Sequence, residues 1–226
     1  MDKNKILIIP AAAYKEINDV FIPEIFKINN FGKMNIINNM YDLPLYDFDK
    51  IYIVIHNKID EIYDVKNMLE TQLKNEVFGE KTSVISIDET GNVVDTIMQT
   101  IRQIPYNKYG VFIKDADASF SITELNNENT VYTYKLEDVL EINPSSKSYV
   151  STTSDDVVLN IIEKRVISSE FCAGGYYFDD VDKFVELCEC VQEYDKLYLS
   201  NVIYYDILRN NEMYRAEQVF RFNENN

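Results

Sequence analysis

The chain has 226 residues, 46% of them hydrophobic, enough for one substantial α/β core but not for two. A formal net charge of −16 and a pI near 4.4 argue against nucleic acid or an anionic lipid surface as partner, because either would meet net repulsion. A small phosphate ligand in a locally positive pocket is still compatible with that balance.

Residues 6–10 are a β-branched run followed by small residues, which predicts a buried strand opening into a loop at Ala11, Ala12 and Ala13. The apolar stretch around it is far shorter than a membrane span and lacks the layout of a cleaved signal, so a cytoplasmic protein with no membrane span is expected. Residues 49–56 repeat the strand signal, and 58–75 carry the spacing Ile59, Ile62, Val65, Leu69, Leu73 of a single helix. A strand over 82–87, a helix over 93–103 and a strand over 109–114 follow. Short strands are predicted at 130–136, 148–153, 157–163 and 171–178, then helices at 180–193 and 198–210, with 223–226 as a frayed end. Such alternation predicts an α/β fold, a single-domain open mixed, mainly parallel sheet flanked by helices on both faces, Rossmann-like in outline. Oligomeric state is not legible.

Chemistry concentrates in two places. Lys114-Asp115-Ala116-Asp117-Ala118-Ser119-Phe120 leaves the end of a predicted strand, where paired carboxylates suit Mg²⁺, although acidic pairs there also occur as solvated turns and helix caps. Glu163-Lys164 offers a hydroxyl acceptor and a phosphate-directed cation, and Gly174-Gly175 permits close backbone approach to a ligand. The same residues read equally as a charged hairpin followed by a glycine bulge. Cys172, Cys188 and Cys190 lack a second pair to complete a zinc site and are expected to be reduced and structural. His56, the only histidine, ends the second predicted strand, where it either faces a ligand or serves a structural role.

Taken in order, several segments resemble the sugar-phosphate nucleotidyltransferases, whose fold is shared with A-type glycosyltransferases. They are 6–10 with Ala11-Ala12-Ala13, Pro23-Glu24-Ile25-Phe26 with Phe31-Gly32-Lys33-Met34, Asp88-Glu89-Thr90-Gly91, Lys114 to Phe120, and Glu163-Lys164 with Gly174-Gly175-Tyr176-Tyr177-Phe178. The resemblance implies one domain over 1–226, with a nucleotide-binding half at 1–120 and a sugar-phosphate-binding half at 121–226. It implies a nucleoside triphosphate and a sugar or polyol phosphate as substrates, pyrophosphate as a product, and a nucleotide-activated precursor for surface polysaccharide. By position, Asp115 and Asp117 would hold Mg²⁺, with Lys33 as a catalytic cation. Ala11, Ala12, Ala13, Thr90 and Gly91 would meet the nucleotide, and Glu163, Lys164, Gly174 and Gly175 the sugar phosphate.

The departures are specific. The family's first loop is rich in glycine and carries an arginine, whereas 11–21 has neither. Glu24 stands where the family has a catalytic lysine, wrong in sign beside a phosphate, so Glu24→Lys is expected to tighten triphosphate binding, and Lys15, Lys27 or Lys33 are the candidate replacements. The family's later metal aspartate has no clear counterpart; Asp206 is a candidate, and equally reads as a solvated helical aspartate. The alternatives are therefore a catalytically inactive nucleotidyltransferase-like binding protein, or a metal-dependent glycosyltransferase on the same fold.

Overall fold

A computed structural model of the chain describes residues 4–13, 22–105, 109–139, 143–191 and 196–224. Strands β1 (Lys5–Ala11), β2 (Lys50–His56), β3 (Thr82–Ile87) and β4 (Gly110–Lys114) form a parallel half with β1 between β2 and β4. KILIIPA and KIYIVIH are apolar without alternation because helices cover both faces of these strands. The second half adds β5 (Ala118–Phe120), β6 (Thr130–Lys135), β7 (Ser148–Thr152), β8 (Val158–Glu163), β9 (Glu170–Phe178), β10 (Arg215–Gln218) and β11 (Phe222–Glu224). Here the sheet turns mixed, in the order β10-β6-β9-β4-β1-β2-β3, with β9 antiparallel to both β4 and β6. Hairpin β7–β8 joins β9 through β7, and β5 pairs with β11 as a separate ribbon.

Helices α1 (Asn35–Asn38), α2 (Asn57–Tyr63) and α3 (Val65–Leu73) bury Ile36, Ile37, Ile59, Leu69 and Leu73 against one face of the sheet. Helices α4 (Val93–Ile101), α5 (Val181–Cys190) and α6 (Leu199–Asn210) bury Val94, Ile97, Phe184, Leu187, Val202 and Ile203 against the other. Each such side chain contributes about 1.5–3 kcal/mol through its removal from water. Among the described residues, no helix is long and apolar enough to cross a membrane.

Two expectations change. The single helix over 58–75 is broken at Asp64, which adopts the left-handed conformation at φ 54° and donates its amide to the Asp60 carbonyl at 2.7 Å. Asp60 also takes the Lys66 amide on its carboxylate at 2.7 Å, so a short polar side chain offers the backbone an alternative to the helical ladder. The end expected to fray instead contributes β11, whose Asn223 and Glu224 pair with Ser119 and Ala118. Residues 225–226 lie outside the described ones.

Candidate active site

Chain connections leave β1 toward β2 on one side and reach β4 on the other, and a crevice opens outside strand ends where the order reverses in this way. Two cavities lie there, of about 250 Å³ and about 360 Å³, and Val93 at the start of α4 lines both. The smaller is walled by Ala12 and Ala13 after β1, by His56 at the end of β2, and by Thr90 and Gly91 before α4. Asn92 caps α4 by accepting the Asp95 amide at 2.9 Å, and the Thr90 and Thr96 hydroxyls meet at 2.7 Å, which fixes the shape of this wall. Nδ1 of His56 accepts the Lys58 amide at 3.0 Å, which leaves the ring proton of the neutral imidazole on Nε2. Ala11 is buried in the core beneath. Among the described residues of this cavity there is no lysine or arginine.

The larger cavity is charged. Its floor is the turn after β4, which carries a half-buried Asp115 and an exposed Asp117. Fully buried Lys114 staples this turn from below, donating to the Asp115 carbonyl at 2.9 Å and to the Ala118 carbonyl, while Asn39 donates to the Ala116 carbonyl at 3.0 Å. Burial pushes the Lys114 ammonium down to about 8, opposed by the charges of Asp115 and Asp117. Burial, then the charge of Asp117, pushes the Asp115 carboxyl up to about 7, against the pull of Lys114 and Lys147.

Across the cavity stand β7, β8 and the start of α6. Glu163 accepts hydrogen bonds from the Ser148 and Ser200 hydroxyls, the second at 2.9 Å, so its carboxylate is held rigidly at the wall. Lys164, at φ 57°, donates to the Tyr198 hydroxyl at 2.5 Å and lies 4.4 Å from that ring's centre; the hydrogen bond raises its pKa. The first residues of α6, Leu199 and Ser200, line the cavity too, and a helix amino terminus favours an anion. Two lysines and a helix end therefore face three carboxylates.

The chain's sequence matches no family model and no curated protein. Solved structures do match. The inositol-1-phosphate CTP transferase from T. maritima aligns over 99% of this chain and 90% of its own, with a TM-score of 0.73 at 14% identity. CTP:phosphocholine cytidylyltransferase from Streptococcus pneumoniae aligns over 99% and 94%, with a TM-score of 0.68 at 15% identity. The nucleoside-diphosphate-sugar pyrophosphorylase from Vibrio cholerae RC9 aligns over 94% and 91%, with a TM-score of 0.68 at 13% identity. The chain has the nucleotidyltransferase fold.

On that fold, Asp115, Asp117, Glu163 and Lys164 share the larger cavity, and Ala12, Ala13, Thr90 and Gly91 the smaller. Other expected residues lie elsewhere. Lys33 sits 2.6 Å from Glu76, in the connection from α3 to β3, and donates to the Tyr41 hydroxyl. Glu24 pairs with Lys27 at 2.6 Å on the surface, and Lys15 lies outside the described residues. Asp206 is buried in α6, accepting from Tyr214 at 2.9 Å and Asn210 at 2.7 Å, and lines neither cavity. Gly174 lies with Ala173 in the bulge between β6 and β9, Gly175 pairs with Tyr132 beside it, and the two glycines leave room for Asp115 and Phe120. The three cysteines are free thiols, with Cys190 exposed rather than buried, and burial pushes the Cys172 thiol at the cavity wall up, away from reactivity. Sequence reading missed Lys147, Ser146, Ser148 and Ser200; the run Pro144-Ser145-Ser146-Lys147-Ser148 just before a strand was the available signal.

Proposed function

We propose that the protein joins a nucleoside triphosphate to a sugar or polyol phosphate, releasing pyrophosphate and giving a nucleotide-activated precursor for surface polysaccharide. The observation that carries this reading is the pair of adjoining cavities at the switch point, one walled mainly by small side chains with His56 and a single carboxylate, Glu89, the other by opposed charges. The first suits a base and ribose, the second a phosphate and hydroxyls.

Asp115 and Asp117 fit magnesium, which binds through one or two carboxylates and lets phosphate oxygens complete its shell. Burial, then the charge of Asp117, holds the Asp115 carboxyl up, and a divalent cation would offset both. Among the described residues no third histidine, cysteine, aspartate or glutamate joins them. When bound, the ion neutralises phosphate oxygens. The chain's own residues do the positioning. Glu163 orients an acceptor hydroxyl, Lys164 holds the acceptor phosphate, and Thr90 and Gly91 border the base. An oxygen of that phosphate attacks the α-phosphorus in line, the bond to the β-phosphate oxygen breaks, and pyrophosphate leaves with the electron pair. No general base is required, since the attacking oxygen is already anionic.

The test is pyrophosphate release from each nucleoside triphosphate with magnesium and a panel of sugar and polyol phosphates. Turnover is expected, with Asp115→Asn and Asp117→Asn each reducing it by about 100-fold or more. Silence across the panel from folded protein refutes the reading. Release of a nucleoside diphosphate from a nucleotide-sugar would make it a glycosyltransferase instead.

A further inference from the structure

Strand β11 is distant in sequence from the larger cavity, yet it reaches both of that cavity's walls. After β10 the Val219 amide donates to the Thr133 carbonyl at 2.9 Å, the Phe220 amide to the Ser121 carbonyl at 3.1 Å, and the Ser121 amide to the Arg221 carbonyl at 3.3 Å. Phe222, Asn223 and Glu224 then lie antiparallel to Phe120, Ser119 and Ala118, so β11 runs back toward the turn that carries Asp115 and Asp117. The Phe222 ring stacks on Tyr134 of β6 at 5.7 Å and meets Phe171 of β9 edge-on at 5.2 Å, which anchors the ribbon to the main sheet. The Lys147 ammonium lies 5.2 Å from the centre of the same ring, within cation–π range. Lys147 lines the cavity, and its charge acts on the Asp115 carboxyl. One side chain therefore joins the strand beside the carboxylate turn to a lysine of the facing wall. Phe222 is only partly buried and packs against the core rather than within it, so replacing it should leave the core intact.

We propose that Phe222 is a positioning residue of the larger cavity: through β11 it steadies the turn of Asp115 and Asp117, and through its ring it holds Lys147 at a set distance from that turn. This inference rests on the nucleotidyltransferase reading, in which the cavity takes magnesium and the acceptor phosphate. Phosphoryl transfer is mostly positioning, and a displacement of about 1 Å costs up to about 100-fold in rate. A floor and a wall tied to one ring move together, so loosening the ring disturbs both at once.

The experiment uses the full chain as wild type, Phe222→Ala, Phe222→Leu and Phe222→Tyr, with melting curves to establish folding. The floor is read by manganese binding in electron paramagnetic resonance, since Mn²⁺ shares the oxygen ligands and octahedral shell of Mg²⁺. The wall is read by the rate of reductive methylation of Lys147 in peptide mass spectrometry. Manganese affinity at least about threefold weaker and Lys147 labelling at least about threefold faster are expected in both the alanine and the leucine variant, with alanine the larger effect. Phe222→Tyr, which keeps the ring, should stay within about twofold of wild type in both readouts. Where wild type turns over, Phe222→Ala should raise KM for the acceptor phosphate about tenfold and change kcat by less than about threefold. Either binding readout equal to wild type in a folded alanine or leucine variant overturns the proposal, as does a tyrosine variant that behaves like alanine or a wild type that binds no manganese. If wild type shows no turnover but both readouts move together, the reaction is wrong and the positioning role of Phe222 stands; turnover with both readouts unmoved leaves the reaction standing and removes the role.

Discussion

Substituting alanine for Gly174 separates two uses of a glycine that sequence alone cannot distinguish. Gly174 has a φ of 89°, and a Cβ built there would stand 2.9 Å from Oδ2 of Asp115, 3.0 Å from its Cβ and 3.1 Å from the Cβ of Ala118. The left-handed conformation costs an alanine about 1–2 kcal/mol, and overpacking a filled site adds about 1–3 kcal/mol. Rotation of the Asp115 carboxylate relieves part of the clash, so a loss of about 2–4 kcal/mol is expected. Function should fall with stability, because the Asp115 amide donates to the Gly174 carbonyl at 2.7 Å and the turn cannot shift without moving the carboxylate. Urea unfolding gives the first quantity, and pyrophosphate release titrated with magnesium gives the second. A variant within about 0.5 kcal/mol of wild type, altered only in KM for the acceptor phosphate, would refute the reasoning: the glycine would then make room for substrate rather than for Asp115.

Glu24→Lys, expected from alignment to tighten triphosphate binding, should instead leave the dissociation constant within about twofold, because Glu24 is occupied by Lys27 on the surface and lines neither cavity. Lys33→Ala should leave kcat for pyrophosphate release unchanged, since Lys33 is engaged by Glu76 and Tyr41; a loss of turnover would show that it swings to the site on binding. Glu217→Gln reports on pH. Burial, then the charge of Glu124, pushes the Glu217 carboxyl from 4.5 up to about 7, so the folded state holds that proton more tightly than the unfolded chain. Wild-type stability therefore falls as pH rises from about 4.5 through about 7, and the variant should be more stable by about 1 kcal/mol at pH 8, discounted for partial solvation, with the gain gone near pH 4.5. Paired urea titrations at the two pH values measure it.

The parallel half was readable because its strands carry their evidence locally. Continuous apolar runs at 6–10 and 50–56 exist only because both faces are covered, and the helices between them keep their stripes. What was missed depends on partners distant in sequence. RAEQ in β10 is a strand because Arg215–Gln218 lies beside Thr130–Thr133, and β11 because Phe222 meets Phe120. Neither segment has the alternation that would mark it on its own. The helix break at Asp64 was hidden for the opposite reason, being local but made by aspartate in a conformation that glycine usually signals.

The site divides in the same way. Residues fixed by a strand end, such as Asp115 and Glu163, reach the cavity because the strand dictates where the next residue lies. A lysine does not share that property: its charge sits at the end of a long flexible stem, and neighbours decide where it lands. Lys33 stands in a stretch that resembles a family motif, yet Glu76 and Tyr41 draw it elsewhere, whereas Lys147 stands in no motif and lines the cavity. Alignment therefore brings Asp115, Asp117, Glu163 and Lys164 to one cavity, misplaces Lys33 and Glu24, and misses Lys147. Among the described residues, the cavity expected to take the nucleotide holds no cation, and both lysines facing the crevice belong to the acceptor half. A phosphate drawn to this crevice would therefore be met at the larger cavity, by Lys147 and Lys164, rather than at the smaller one.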